Sequence, residues 1–171
     1  LIKDGIDNTP EIMVPLVGSV NEFNHQKIII EACANRVELE NSVKINYKVG
    51  TMIELPRACL VADKIAKSAD FFSFGTNDLT QTTFGFSRDD VSTLLNSYIE
   101  NNIISHDPFQ SLDIMGVGKL MKIAVKKARE VNPKIKIGIC GEHGGDPQSI
   151  AFFKKNGFDY VSCSPFRVPI A

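Results

Sequence analysis

The chain of 171 residues has few of the features that mark secreted, membrane or nucleic-acid-binding proteins. Its four cysteines are far apart and form no Cys-x-x-Cys pair, which excludes a disulfide scaffold and favours a reducing compartment. No apolar run approaches the length of a bilayer span, and the amino terminus has no signal-peptide pattern. A formal charge of −1 gives no reason to expect a nucleic acid or an anionic membrane as partner. These absences predict a cytoplasmic globular protein.

What the sequence does contain is an alternation of strand and helix signals, without a hairpin signal. We predict five strands, at residues 10–17, 44–54, 71–74, 134–139 and 160–163. Helical patterns separate them, and the clearest runs from Val117 to Val131 and is ended by Pro133. This order is typical of an α/β fold with a parallel sheet and right-handed crossovers.

Such a sheet is either an open doubly wound layer or part of a (β/α)8 barrel. A complete barrel takes about 250 residues, so this chain has the length for roughly the last five strands of one. Residues 84–115, which include Arg88-Asp89-Asp90 and His106-Asp107-Pro108, show no clear strand. We interpret them as an insertion of short helices within a single partial domain that spans residues 1–171. One cluster of basic residues is interpreted as the solvated face of a helix. It consists of Lys119, Lys122, Lys126 and Lys127.

Side chains that can bind a ligand or transfer a proton follow three of the predicted strands. They are Glu54 after the second strand, Asn77 and Asp78 after the third, and Cys140 after the fourth. Because the carboxyl ends of parallel strands lie on one rim of the sheet, these groups can converge on one pocket. The alternative is that Thr76 and Asp78 only cap the helix that follows the third strand.

Two carboxylates at the same rim repel each other unless a positive group lies between them. Mg²⁺ fits this position, because it prefers oxygen ligands and is often completed by water and substrate phosphate. The alternative is that Glu54 forms a structural ion pair, for which Arg57 is the nearest candidate in the sequence. The spacing of the residues alone leaves both possibilities open.

Cys140 is followed by Gly141 and by Gly144-Gly145, so the backbone there can approach a ligand closely. A thiol with an ordinary pKa of about 8.5 is mostly protonated at neutral pH, and it can donate a proton or act as a nucleophile. The alternative is a small core residue. His143 either orients a ligand or tunes the thiol, or it is a hydrogen-bonded loop residue. No Lys-Ser/Thr follows the glycines, which excludes a P-loop. The other cysteines are interpreted as packing residues, namely Cys33, Cys59 and Cys163.

Five segments of the chain resemble the phosphoenolpyruvate (PEP)-utilising enzyme family and keep its motif order and spacing. These segments cover residues 50–54, 72–81, 84–90, 138–145 and 160–169. PEP synthases and enzyme I of the sugar phosphotransferase system share the elements at Asn77 and Cys140. The continuations at 142–145 and 162–169 resemble the pyruvate, phosphate dikinase branch of the family. The resemblance extends over essentially the whole chain and implies the carboxyl-terminal part of a PEP-binding barrel.

The resemblance also implies a role for the strand-end residues. Glu54 and Asp78 would bind Mg²⁺, the expected cofactor, and through it the carboxylate and phosphate oxygens of the substrate. Cys140 would be the general acid that protonates the pyruvate enolate at its methylene carbon, and the base in the reverse direction. The remaining substrate-binding residues would line the pocket through backbone and amide groups, namely Gly75, Thr76 and Asn77.

The activity implied is reversible phosphoryl transfer between PEP and a histidine on a separate mobile domain. In the dikinases, a third domain binds the nucleotide, and the overall reaction is ATP + pyruvate + phosphate = AMP + PEP + diphosphate. The barrel domain of the family forms homodimer contacts. This chain lacks the other domains and the early barrel strands, whose arginines clamp the substrate phosphate in the family. We therefore expect the chain alone to be inactive and to expose an edge strand near Pro10–Val17.

Two other functions remain open from the residues themselves. The first is a Mg²⁺-dependent barrel lyase or aldolase that acts on pyruvate-like enolates and does not need Cys140. The second is a half-barrel that serves only as a dimerisation module.

Overall fold

The computed structural model describes residues 4–6, 8–87 and 91–171. Its strands are β1 (Glu11–Val14), β2 (Lys48–Ile53), β3 (Phe71–Phe74), β4 (Lys136–Ile139) and β5 (Tyr160–Val161). All neighbouring strands are parallel, and their order in the sheet, β1-β2-β3-β4-β5, repeats their order in the sequence. A doubly wound sheet reverses its strand order at a switch point, whereas a barrel does not. The α/β class is confirmed, and the strand order is that of an open five-stranded barrel segment.

The helices alternate with the strands along the chain, as predicted. They are α1 (Val20–Asn41), α2 (Pro56–Leu60), α3 (Ala62–Ile65), α4 (Thr76–Phe84), α5 (Ser92–Glu100), α6 (Val117–Val131) and α7 (Pro147–Lys155). Helix α6 has the predicted bounds and packs against α2 and α3, burying Val117, Met121, Ala124 and Ala128. Its lysines at 119, 122 and 126 are exposed, as expected of a solvated face. Every helix in the described ranges is too short or too polar to cross a bilayer.

The strands predicted at 10–17, 44–54 and 160–163 are shorter in the structure. Strand β1 ends before Pro15, which has no N–H to donate, and Leu16, whose φ is 55°. Ahead of β2, the Ile45 N–H donates to the Glu38 carboxylate of α1 at 2.8 Å, so this segment bonds to a helix. Neither interruption has a periodic signal in the sequence.

Helix α1 contradicts the prediction that Cys33 packs in the core. Cys33 is exposed, and Phe23 is the α1 residue that becomes fully buried. The reason is that the apolar residues of α1 surround the helix, leaving Ile28 and Leu39 exposed. Cys59, in contrast, is buried as predicted.

Strand β1 forms one edge of the described sheet, as predicted. It pairs with β2, and its Ile12 and Met13 side chains are partly exposed. In the segment 84–115, the described residues form α5 and turns, while Arg88, Asp89 and Asp90 lie outside the described residues. That this segment is an insertion stays a prediction.

Asp146 connects the segment 84–115 to α7 through hydrogen bonds. Its side chain caps the helix by accepting a hydrogen bond from the Ser149 N–H at 2.9 Å, and it also accepts one from the Ser111 hydroxyl at 2.9 Å. The Ser149 hydroxyl donates to the same Asp146 oxygen at 2.5 Å and accepts from the Leu112 N–H at 3.0 Å. Partial burial raises the pKa of Asp146, but the hydrogen bonds from Ser149 and Ser111 outweigh it and hold the pKa below its ordinary value.

Replacing Asp146 with alanine is expected to lower the free energy of unfolding at neutral pH by about 1–2 kcal/mol, the usual contribution of a helix cap. Because the folded-state pKa of Asp146 is depressed, its carboxylate contribution is present above the unfolded pKa and is lost as the pH falls through the folded pKa. Urea unfolding at pH 7 and below about pH 3.9 measures both effects. The difference in the free energy of unfolding between wild type and D146A should become smaller at the acidic pH. The control is Glu40→Gln at an exposed position of α1, which should change the free energy of unfolding by less than about 0.5 kcal/mol. An equal difference at both pH values would contradict the assignment.

Candidate functional site

The register of the sheet brings three predicted residues side by side. Ile53 of β2 pairs with Phe74 of β3, and Phe74 pairs with Ile139 of β4. The next residues along these strands are Glu54, Gly75 and Cys140, and the Cys140 N–H continues the ladder by donating to the Phe74 carbonyl at 3.0 Å. The predicted convergence at one rim thus follows from the pairing of the strands.

Glu54 is a buried carboxylate with a relative exposure of 1%. Its Oε1 atom accepts a hydrogen bond from the Leu16 N–H at 2.6 Å, while Oε2 has no hydrogen-bond partner among the described residues. Gly75 leaves the space that this side chain occupies, because a Cβ atom there would collide with Oε2 and lie 2.9 Å from the Glu54 Cβ. A buried carboxylate oxygen without a partner is costly, so this oxygen marks a place for a positive ligand.

Asp78 supplies the second carboxylate of the site. Burial raises the pKa of Glu54, the Leu16 N–H lowers it, and the neighbouring carboxylate of Asp78 raises it further, with a net increase. The alternative ion pair does not form, because Arg57 donates to the Gly18 carbonyl instead. Within the described ranges, no basic side chain forms an ion pair with Glu54.

The two carboxylates fit a hard divalent cation on their donor chemistry. Both offer oxygen atoms, they raise each other's energy when charged, and one oxygen is buried without a partner. The described residues contain no group of three or more side chains that could hold a metal. Mg²⁺ is commonly bound by one or two carboxylates, with water and substrate oxygens completing its shell, so Glu54 and Asp78 could hold it with a ligand.

Cys140 is half-buried, and its thiol donates to the Phe74 carbonyl at an S···O distance of 3.5 Å. Burial raises its pKa, the Ser73 hydroxyl lowers it, and the negative charges of Glu54 and Asp78 raise it, with a net increase. The thiol is therefore protonated at neutral pH. A protonated thiol is suited to donating a proton and is a poor nucleophile.

The first turn of α4 lies beside this thiol. Gly75 is the N-cap residue and no side chain caps the helix, so the alternative in which Thr76 and Asp78 are caps is wrong. The N–H groups of the first turn have no partner within the helix, and such groups can bind anionic oxygens. The Asn77 amide oxygen accepts from the Glu142 N–H at 3.1 Å, which joins α4 to the loop after Cys140.

His143 is the hydrogen-bonded loop residue that the sequence offered as one alternative. It is fully buried, with Nε2 2.8 Å from the Pro108 carbonyl and Nδ1 2.8 Å from the Thr76 hydroxyl. A carbonyl only accepts, so Nε2 carries the proton and the Thr76 hydroxyl donates to Nδ1. Burial lowers the pKa of His143, and its several carboxylate neighbours do not reverse this. The neutral ring fastens α4 and the 84–115 segment to the loop.

Residues that follow β5 also reach this site without being predicted there. Cys163 and Arg167 line a cavity of about 200 Å³ together with Asn77 and Cys140. Cys163 was predicted as packing within a strand, but β5 ends at Val161 and leaves Cys163 half-exposed at the same rim. The signal available in the sequence was its position just beyond a strand end.

Comparison with known proteins gives the family of the chain. The family profile described as "PEP-utilising enzyme, PEP-binding domain" matches residues 1–171. Pyruvate, phosphate dikinase 1, chloroplastic, of Oryza sativa subsp. japonica is 60% identical over 171 residues, which is 100% of this chain and 18% of the relative. Pyruvate, phosphate dikinase 2 of Zea mays is 58% identical over 171 residues, covering 100% of this chain and 19% of the relative. Pyruvate, phosphate dikinase 1, chloroplastic, of Arabidopsis thaliana is 60% identical over 167 residues, covering 98% of this chain and 17% of the relative.

The chain thus spans less than a fifth of the length of these relatives. The names of the rice and Arabidopsis proteins place those proteins in chloroplasts, and the cytoplasmic location of this chain stays a prediction. The family profile covers every residue, and the resemblance noted in the five sequence segments is confirmed. This chain belongs to the PEP-utilising enzyme family, of which it forms a PEP-binding domain.

Proposed function

We propose that this chain is the PEP- and pyruvate-binding part of a pyruvate, phosphate dikinase. The observation that carries the proposal is the strand register that brings the Cys140 thiol and the Glu54 carboxylate to one rim of the sheet, with Asp78 beside Glu54. The identity of 57–60% with dikinases along the chain supports the same branch of the family. The activity is reversible phosphoryl transfer between PEP and a histidine on another domain, coupled to ATP and phosphate at a nucleotide-binding domain.

Glu54 and Asp78 are the residues that would hold Mg²⁺ in this enzyme. When bound, the ion would neutralise charge on the phosphoryl group and on the enolate oxygen. The uncapped first turn of α4 offers the N–H groups of Thr76, Asn77 and Asp78 to substrate oxygens. Because Gly75 has no side chain, the Glu54 carboxylate has room next to this turn.

Cys140 performs the proton transfer. Departure of the phosphoryl group to the histidine leaves the enolate of pyruvate. The S–H bond of Cys140 then breaks, its proton forms a C–H bond at the methylene carbon, and the sulfur keeps the electron pair as a thiolate. In the opposite direction, the thiolate removes a proton from the methyl group of pyruvate. The raised pKa of Cys140 keeps the proton on the thiol at neutral pH, where it is available for donation, and makes the thiolate a stronger base in the reverse direction.

The partners in this proposal are PEP or pyruvate, the phosphohistidine and nucleotide-binding domains, and a second copy of the enzyme in a homodimer. The free cysteines of the described chain accord with a reducing location such as the cytoplasm. Sedimentation of this chain with and without Mg²⁺ and PEP measures its self-association separately from ligand binding.

The experiment that tests the function uses a hybrid enzyme, in which this chain replaces the matching segment of the rice relative. We expect the hybrid to form PEP from pyruvate, ATP and phosphate, because the rest of the rice relative supplies the phosphohistidine, the nucleotide site and the other barrel strands. The chain alone should show no turnover in the same assay. A well-folded hybrid without activity would contradict the proposed function, and turnover by the chain alone would show that no essential group is missing.

A further inference from the structure

Two cavities adjoin at the rim that carries Cys140. The smaller, of about 200 Å³, contains Cys140 and Asn77. The larger, of about 500 Å³, opens between the loop after Cys140 and the turn at Phe109–Ser111. Glu142 and Arg167 line both cavities, so they stand at the boundary between them. A group that approaches the thiol from the larger cavity passes these two side chains.

The backbone conformation of Arg167 and the contacts of its side chain place this residue at the boundary. It ends the short 3-10 turn Pro165–Arg167 that follows β5, and its guanidinium donates to the Gly145 carbonyl at 3.3 Å. The arginine stem lies against Gly145, where a Cβ atom would come within 3.3 Å of the Arg167 Cβ and Cγ atoms. The glycine at position 145 therefore makes room for the stem to lie along the rim.

The charge around Arg167 is otherwise negative. Among the described residues that line the two cavities, Arg167 is the basic side chain, while Glu142 and Asp146 are acidic. Asp146 is engaged by the hydroxyls of Ser111 and Ser149. No carboxylate in the described ranges forms an ion pair with Arg167. Most of the five guanidinium N–H donors therefore remain available to a ligand.

We propose that Arg167 binds the oxygens of the transferred phosphoryl group at the mouth of the Cys140 cavity. PEP carries several negative charges, and the carboxylates at this rim would repel it. A guanidinium binds phosphate oxygens through two parallel hydrogen bonds, which suits a group that must be oriented as well as attracted. The inference rests on the proposed function, and the phosphoryl group is that of PEP or that of the phosphohistidine.

The test replaces Arg167 with glutamine or lysine in the hybrid enzyme, with Lys119→Gln on the exposed face of α6 as the charge-matched control. We expect R167Q to lower kcat/KM for PEP by about 10- to 100-fold, the range for loss of a charged hydrogen bond. The KM for pyruvate, which has no phosphoryl group, should change by less than about twofold. R167K should recover part of the lost kcat/KM, since lysine keeps the positive charge but lacks the two parallel N–H donors of the guanidinium.

Titration of PEP into a hybrid whose phosphate-accepting histidine is replaced with alanine, which cannot take up the phosphoryl group, distinguishes the two sources of that group. A raised Kd for PEP in R167Q assigns the contact to the substrate, and an unchanged Kd with slower transfer from the phosphohistidine assigns it to that group. Equal kinetics of R167Q and K119Q in an active hybrid would overturn this inference and leave the proposed function standing. An inactive but folded wild-type hybrid would overturn both.

Discussion

Replacing Cys140 with alanine is expected to slow pyruvate formation from PEP in the hybrid enzyme by about 10²- to 10⁴-fold, the usual contribution of a general acid. The reason is that, in the proposed mechanism, the thiol of Cys140 supplies the proton that converts the enolate left by phosphoryl transfer into pyruvate. Burial raises the pKa of Cys140, so the proton is present at neutral pH. Rapid-quench measurement of pyruvate formation in a single turnover gives the rate.

The matched control is Cys33→Ala, which removes an exposed thiol from α1. We expect it to leave the rate within about twofold of wild type. Mg²⁺ binding, followed with Mn²⁺ as a paramagnetic substitute, should be retained in C140A because the carboxylate pair is intact. Loss of pyruvate formation with retained metal binding supports the dikinase role. An unchanged rate would instead favour a lyase or aldolase that does not use the thiol.

Replacing Asp78 with asparagine is expected to weaken Mg²⁺ binding by more than about 100-fold, since loss of even an outer-shell partner of a metal ligand costs about 10–100-fold. Without the metal, the same change should raise the unfolding temperature. Asp78 contributes to the raised pKa of Glu54, so its charge destabilises the folded protein when no cation is present. The two effects have opposite signs, which an ordinary structural aspartate would not produce.

Calorimetric titration with Mg²⁺ and thermal unfolding in EDTA measure the two effects in the same samples. Glu54→Gln is the companion variant: it keeps an acceptor for the Leu16 N–H and removes the charge. The control is Asp63→Asn, which lies in α3 and pairs with Lys127 at 3.2 Å, away from the rim. Its Mg²⁺ affinity should equal that of wild type. A D78N variant that binds Mg²⁺ normally, or that unfolds at a lower temperature in EDTA, would exclude the carboxylate pair as a metal site.

The position of polar residues after apolar runs predicted which residues meet at one rim of the sheet better than it predicted the limits of the strands. Glu54 and Cys140 were found from their position after apolar runs, and the register Ile53–Phe74–Ile139 brings them together. Strand limits depend on the partners of single N–H groups, such as that of Ile45, which bonds to a glutamate side chain of α1. No local pattern encodes such a partner.

The sequence by itself determined the alternation of strands and helices, the buried strand Phe71–Phe74, and the capped starts of α1 and α7. These follow from hydrophobic period and cap chemistry, which act over a few neighbouring residues. Only the tertiary structure decided that Arg57 bonds to Gly18 and not to Glu54, and that Arg167 reaches the Cys140 cavity. Both outcomes depend on where distant segments meet, and a long flexible side chain can reach several partners until the packing of the sheet selects one.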